Sequence, residues 1–175
     1  VRTYLDEIAR DGLPVREIGF TGGEPFMNPE VPAMLALCLE RGLDVLVLTN
    51  AMRPMRRFER QLLALENPGR LTLRVSLDHH TQAIHEAARG ADRWATATDG
   101  LRWLAGSGFR VSVAGRHLGG ATEADARRGY GQLFRSLGLA IPADDPARLV
   151  LFPEMDAGAD VPEITTACWG ILDVD

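Results

Sequence analysis

Leu71, Leu73, Val75 and Leu77 alternate with Thr72, Arg74 and Ser76, a period of two that predicts a strand with one apolar and one polar face. Phe109, Val111 and Val113 set against Arg110, Ser112 and Ala114 repeat the pattern and predict a strand over 109–114. Shorter apolar runs predict strands over 17–21, 43–49 and 149–152. Between the strands the period lengthens. Val1, Leu5, Ile8 and Ala9 share one face of a helix over 1–10. A second helix is expected after Asn28 as cap, with Pro29 at the first helical position, Glu30 in the first turn and Gly42 as the stop. Helices are also expected over 55–66, 81–89, 93–107 and 122–137, with Gly90 dividing the second from the third of these segments and Gly138 ending the last.

Strands that alternate with long helices imply parallel pairing through right-handed crossovers. The faces narrow the choice further. If helices cover the apolar side of each strand, then Thr72, Arg74, Ser76, Arg110 and Ser112 line an interior, as in a closed or partly closed barrel around a polar ligand. An antiparallel sheet with its polar face in water is the competing arrangement, and helices of this length between strands disfavour it. The expected class is therefore α/β, a partial parallel TIM-like barrel of about five strands.

Composition supports a single core and adds exclusions. The 175 residues are 46% hydrophobic and 25% charged, with a formal net charge of -5. Disorder and a disulfide scaffold are excluded, and the scattered basic residues give no nucleic-acid stripe. No apolar run approaches the ~20 residues of a membrane span. Two cysteines, Cys38 and Cys168, fit a reducing, cytoplasmic setting. The first helix lacks a capping residue and the last residues lack a closing element, so both ends are expected to be cut from a longer protein. Residues 1–155 form the expected core, and 156–175 the start of a C-terminal extension.

The carboxyl ends of parallel strands are where ligands bind in such folds. Here they carry Thr21-Gly22-Gly23-Glu24-Pro25, Thr49-Asn50, Ser76-Leu77-Asp78-His79-His80, Gly115-Arg116-His117 and Pro153-Glu154. Paired glycines allow close backbone approach, and Pro25 restricts Glu24 to an extended conformation. A carboxylate held in that way suits an ammonium group. Alone, the same string also describes a tight turn.

The string, with Ile18-Gly19-Phe20 before it, resembles the radical S-adenosylmethionine enzymes, as do Val47-Leu48-Thr49-Asn50, Arg74-Val75-Ser76-Leu77-Asp78, 85–90 and 100–111. That resemblance implies a partial (β/α)6 barrel whose first strand is missing here. It also implies S-adenosylmethionine and a [4Fe-4S] cluster as cofactors, the cluster held by a Cys-x3-Cys-x2-Cys loop that this chain lacks. Gly22, Gly23, Glu24 and Pro25 are then placed at the methionine amino group, and Thr49 and Asn50 on the same rim. Ser76 and Asp78 are placed at the ribose hydroxyls or methionine carboxylate, and Arg116 at that carboxylate. Cys168 stands either as a ligand of an auxiliary iron–sulfur cluster or as a free thiol, and Cys38 as buried filler. The implied activity is cleavage of S-adenosylmethionine to a radical that abstracts hydrogen from a small-molecule or peptide substrate. A flavodoxin or ferredoxin would serve as reductant. A barrel that binds a ligand without catalysis is the competing function.

Other residues carry less. His79 and His80 are expected to intrude on the substrate side or to be solvated, His85 to be structural, and His117 to be a rim proton donor or a surface residue. Trp94 and Trp103 are expected as outer packing. No zinc-protease helix, phosphate loop or Gly-x-Ser-x-Gly nucleophile turn occurs in the chain.

Overall fold

The structure is a computed structural model, and it describes residues 1–118 and 120–153. Glu154, Cys168 and the expected extension over 156–175 lie outside the described residues. The elements run α1 (Arg2–Arg10), β1 (Glu17–Phe20), α2 (Val31–Glu40), β2 (Asp44–Thr49), α3 (Arg53–Arg56), α4 (Glu59–Leu63), β3 (Leu71–Ser76), α5 (Gln82–Arg89), α6 (Arg93–Gly106), β4 (Arg110–His117), α7 (Glu123–Ser136) and β5 (Leu149–Pro153). The five strands pair in sequence order, all parallel, and form a half-barrel.

Register assigns the two faces. Val45 pairs with Leu71, Val47 with Leu73, Leu73 with Val111, and Val75 with Val113, so these side chains stand in rows on the helix-covered side. They are buried to within 1% of complete exclusion from solvent, each stabilising the fold by roughly 1.5–3 kcal/mol. The opposite face carries Leu46 and Leu48 of β2, then Thr72, Arg74 and Ser76 of β3, all half-buried. The alternation in β3 thus sorts into a helix side and an open concave side, as its period of two requires.

Cys38 sits fully buried on α2 among Leu35, Leu39 and the other core side chains. Several element ends differ from expectation. Asn28 does not cap α2. Its Oδ1 accepts from the Glu30 amide at 3.0 Å in a local turn, and α2 begins at Val31 with Pro32 in its first turn. The helix expected over 55–66 divides at Arg57-Phe58, where Phe58 N donates to Met55 O in a tighter three-residue turn and the Phe58 ring packs on Phe26. β4 runs on through His117, so Gly115 and Arg116 are strand residues, not loop residues.

Candidate functional site

Glu24 leaves β1 in an extended conformation, φ -136° and ψ 111°, as the following proline dictates. Its carboxylate joins two strand exits. Oε1 accepts from the Phe26 amide at 3.2 Å and from Thr49 Oγ1 at 2.8 Å, and Oε2 accepts from the Asn50 amide at 2.7 Å. A carboxylate has about four acceptor positions, so three protein donors leave one, on Oε2. Gly22 has φ +120°, a conformation that side chains resist, and nothing lies within 4 Å of where a Cβ would stand on Gly22 or Gly23. Beside this loop lies an open depression lined by Phe20, Thr21, Gly23, Glu24, Pro25 and Met27.

The second strand exit is built around Thr49. Its buried hydroxyl donates to Glu24 and accepts from Ala51 N at 3.0 Å, while Asn50 Oδ1 accepts from Met52 N at 2.9 Å. Ala51 takes φ 56°, and Gly100 of α6 lies against its carbonyl so closely that any Cβ there would overlap the oxygen. Gly100 is therefore a packing requirement of the rim loop, which the pattern of α6 alone does not reveal.

Asp78 is 5% exposed and is held by Arg89 of α5 through two parallel bonds, Nε to Oδ2 at 2.5 Å and Nη2 to Oδ1 at 2.9 Å. Burial works to raise its pKa, but the Arg89 bonds and charge, with Arg116 3.8 Å away, prevail and hold the carboxyl below its usual range. Arg89 thus takes one acceptor position on each oxygen of Asp78 and ties it to α5. Sequence reasoning missed Arg89 because the partners sit eleven residues apart on different elements. Arg116 extends from β4 with its side chain 45% exposed, and its amide donates to Asp78 O at 3.0 Å. Ser76 lies half-buried on the concave face, paired with Ala114.

The three histidines of this loop and helix do not line the open face. His79 is 5% exposed, bonded through Nδ1 to Thr81 and stacked on His80 at 4.0 Å, and the His80 ring occupies the space a Cβ on Gly129 of α7 would need. Steric fit against α7 therefore overrides the expectation that this pair intrudes on substrate. His85 is fully buried, edge-on to Trp94 at 5.6 Å, with neither ring nitrogen hydrogen-bonded. Burial lowers the pKa of all three. Tyr130 of α7, also fully buried, donates to Leu77 O at 2.5 Å, and its ring fills the position of a Gly115 Cβ. His117 is half-buried at the end of β4. Trp94 and Trp103 are half-buried against the outside of the core, Trp103 beneath the Arg56 guanidinium at 4.9 Å.

Residues 1–129, which include every one of these rim loops, match the Radical SAM superfamily. The chain belongs to that superfamily. It is 34% identical over 107 residues to the GTP 3',8-cyclase of Rhodococcus opacus, a match spanning 60% of this chain and 29% of that protein. The Streptococcus suis protein SuiB has a similar fold, with TM-score 0.61 at 12% identity over 90% of this chain and 34% of SuiB. SuiB crystallised with S-adenosylmethionine gives TM-score 0.60 at 12% identity, covering 81% of this chain and 31% of that one. SuiB with its precursor peptide SuiA gives 0.59 at 14%, covering 78% and 29%.

The two cofactors that the radical SAM superfamily implies fare differently against these residues. The spare acceptor on Glu24, the open backbone of Gly22 and Gly23 and the exposed Arg116 suit the charged amino-acid end of S-adenosylmethionine. An iron–sulfur cluster has no such match among the described residues. Cys38 is the cysteine they contain and is packed in the core, and no group of three or more Cys, His, Asp or Glu gathers where it could hold a metal. Among the same residues no helix is long and apolar enough to cross a membrane.

Proposed function

We propose that this half-barrel is the S-adenosylmethionine-binding core of a radical SAM enzyme. The observation that carries the reading is the superfamily match over residues 1–129, whose Gly-Gly-Glu-Pro loop lies at the carboxyl rim of the sheet. Backbone carbonyls of Gly22 and Gly23 and the free position on Glu24 accept from the cofactor's ammonium group. Thr49 and the Asn50 amide hold the Glu24 carboxylate in place, so the acceptor is oriented before ligand arrives. Arg116 takes the methionine carboxylate with its guanidinium fork, and Ser76 bonds a ribose hydroxyl. Arg116 lies three strands from β1, about 14 Å along a flat sheet, a span that the curl of the half-barrel shortens. Asp78 acts at one remove, fixing α5 through Arg89 beside Arg116.

The chemistry supplied by the cofactors is cleavage of S-adenosylmethionine to a 5'-deoxyadenosyl radical that takes hydrogen from a small-molecule or peptide substrate. The described residues provide no thiolate set for the cluster, so its ligands belong to sequence outside them. Cys168 is proposed as an auxiliary-cluster ligand, a cytoplasmic flavodoxin or ferredoxin as electron donor. Anaerobic reconstitution of the full-length protein with iron and sulfide, then dithionite and S-adenosylmethionine, tests the reading. It predicts iron uptake and release of 5'-deoxyadenosine. S-adenosylmethionine binding without either result would instead favour a non-catalytic binding barrel, and no binding would defeat both.

A further inference from the structure

Below the rim, the concave face becomes cationic. Arg74 on β3, Arg110 at the start of β4 and Arg148 just before β5 line a cavity of about 320 Å3 together with Glu17, Leu46 and Thr72. None of the three arginines has a carboxylate of the described residues within 4 Å. Arg74 and Arg148 are half-buried, and each is fixed by one bond through Nε, to Ser112 Oγ at 3.3 Å and to Val111 O at 3.0 Å. Those bonds orient each guanidinium and leave its terminal nitrogens without an acceptor among the described residues.

Guanidinium groups gathered on a concave, partly desolvated surface repel one another unless an anion joins them, and the low-dielectric walls strengthen that field. Glu17 offsets one charge of three. The remainder calls for a ligand with at least two negative charges. The location is set apart from the rim, since Arg110 opens β4, Arg148 precedes β5 and Arg74 stands two residues below Ser76, about 7 Å down the strand. Resting on the reading of the rim as the cofactor end, we infer that the open face holds a polyanionic substrate, an oligophosphate or a polycarboxylate, with Arg74 as its principal anchor and Arg110 and Arg148 beside it. Arg74 is then a specificity residue whose remote grip places the substrate's reacting carbon at the rim.

Isothermal titration of the full-length protein separates the two anion classes and the two proposals. Sodium tripolyphosphate and citrate are titrated separately, without S-adenosylmethionine, at low and at moderate salt. Binding of either supports the site, and the tighter of the two identifies the substrate class. The affinity should fall as salt rises. Arg74→Gln should weaken it about tenfold or more, the loss expected for a charge-assisted pair. Arg110→Gln, at an exposed position where substitutions usually change stability little, should weaken it severalfold, since surface charges act more weakly. Both variants should bind S-adenosylmethionine as the parent does. Failure of both anions to bind a protein that binds S-adenosylmethionine, or equal binding by parent and variants, would overturn the inference. Anion binding lost with Arg74→Gln in a protein that does not bind S-adenosylmethionine would leave the arginine site standing and remove the cofactor reading.

Discussion

Replacing Glu24 by Gln removes a charge and changes no shape, which isolates the tie between the first two strand exits. The carboxylate accepts from two backbone amides, Phe26 and Asn50, one on each oxygen, and from the Thr49 hydroxyl. Either orientation of a Gln amide turns its NH2 toward one of those backbone N–H groups. One half-buried donor therefore loses its partner whichever way the side chain flips. A hydrogen bond to a charged acceptor contributes about 1.5–3 kcal/mol, and the partial exposure of Glu24 puts the expected loss near 2 kcal/mol. For a chain of this size that corresponds to a drop in Tm of about 4–8 °C. Thermal unfolding of the 175-residue chain carrying the substitution, followed by circular dichroism, reads it directly. A Tm within about 1 °C of the parent would mean that the carboxylate does not carry the junction.

Gly100→Ala drives a Cβ into the Ala51 carbonyl, backbone against backbone, and should cost about 2–3 kcal/mol in denaturant unfolding while also weakening ligand binding at the Asn50 loop. Tyr130→Phe deletes the bond to Leu77 O without opening a cavity, and urea titration should register a loss of about 1 kcal/mol. His85 has its pKa lowered chiefly by burial and also by Arg89, against the raising effects of Asp78 and Glu86. The folded state therefore binds fewer protons than the unfolded one, and stability should fall as pH drops below about 6.5, the ordinary histidine value. His85→Leu should flatten that decline relative to the parent. Asp78, held low by Arg89, contributes stability that persists above about 3.9 and is lost only as pH falls through its lower folded value.

The fold was legible where local chemistry and tertiary structure agree. Alternation in β3 named its buried face residue by residue, because a half-barrel wets one side of a strand and covers the other. The end of β4 was not legible. Gly115 looks like a strand breaker in sequence, yet it continues the strand because the Tyr130 ring from α7, fifteen residues on, occupies the place of its side chain. The same kind of distant contact concealed the packing partners of Asp78 and the histidine pair. Asp78 ends a strand, as a ligand-binding acid would, and Arg89 of α5 also binds one position on each of its oxygens. His79 and His80 follow it into a loop that α7 covers through Gly129. At Glu24 the local string sufficed for the conformation, since Pro25 sets the backbone, and only the partners on β2 required the structure.

The proposed grip of the Gly-Gly-Glu-Pro rim on S-adenosylmethionine depends on backbone held open by glycine. Titration of S-adenosylmethionine into the full-length protein and into Gly22→Val, which imposes a side chain on a φ of +120°, tests it most directly. Saturable binding is expected of the parent and a loss of about tenfold or more in the variant, with its overall secondary structure retained. Equal affinity in the two proteins would contradict it.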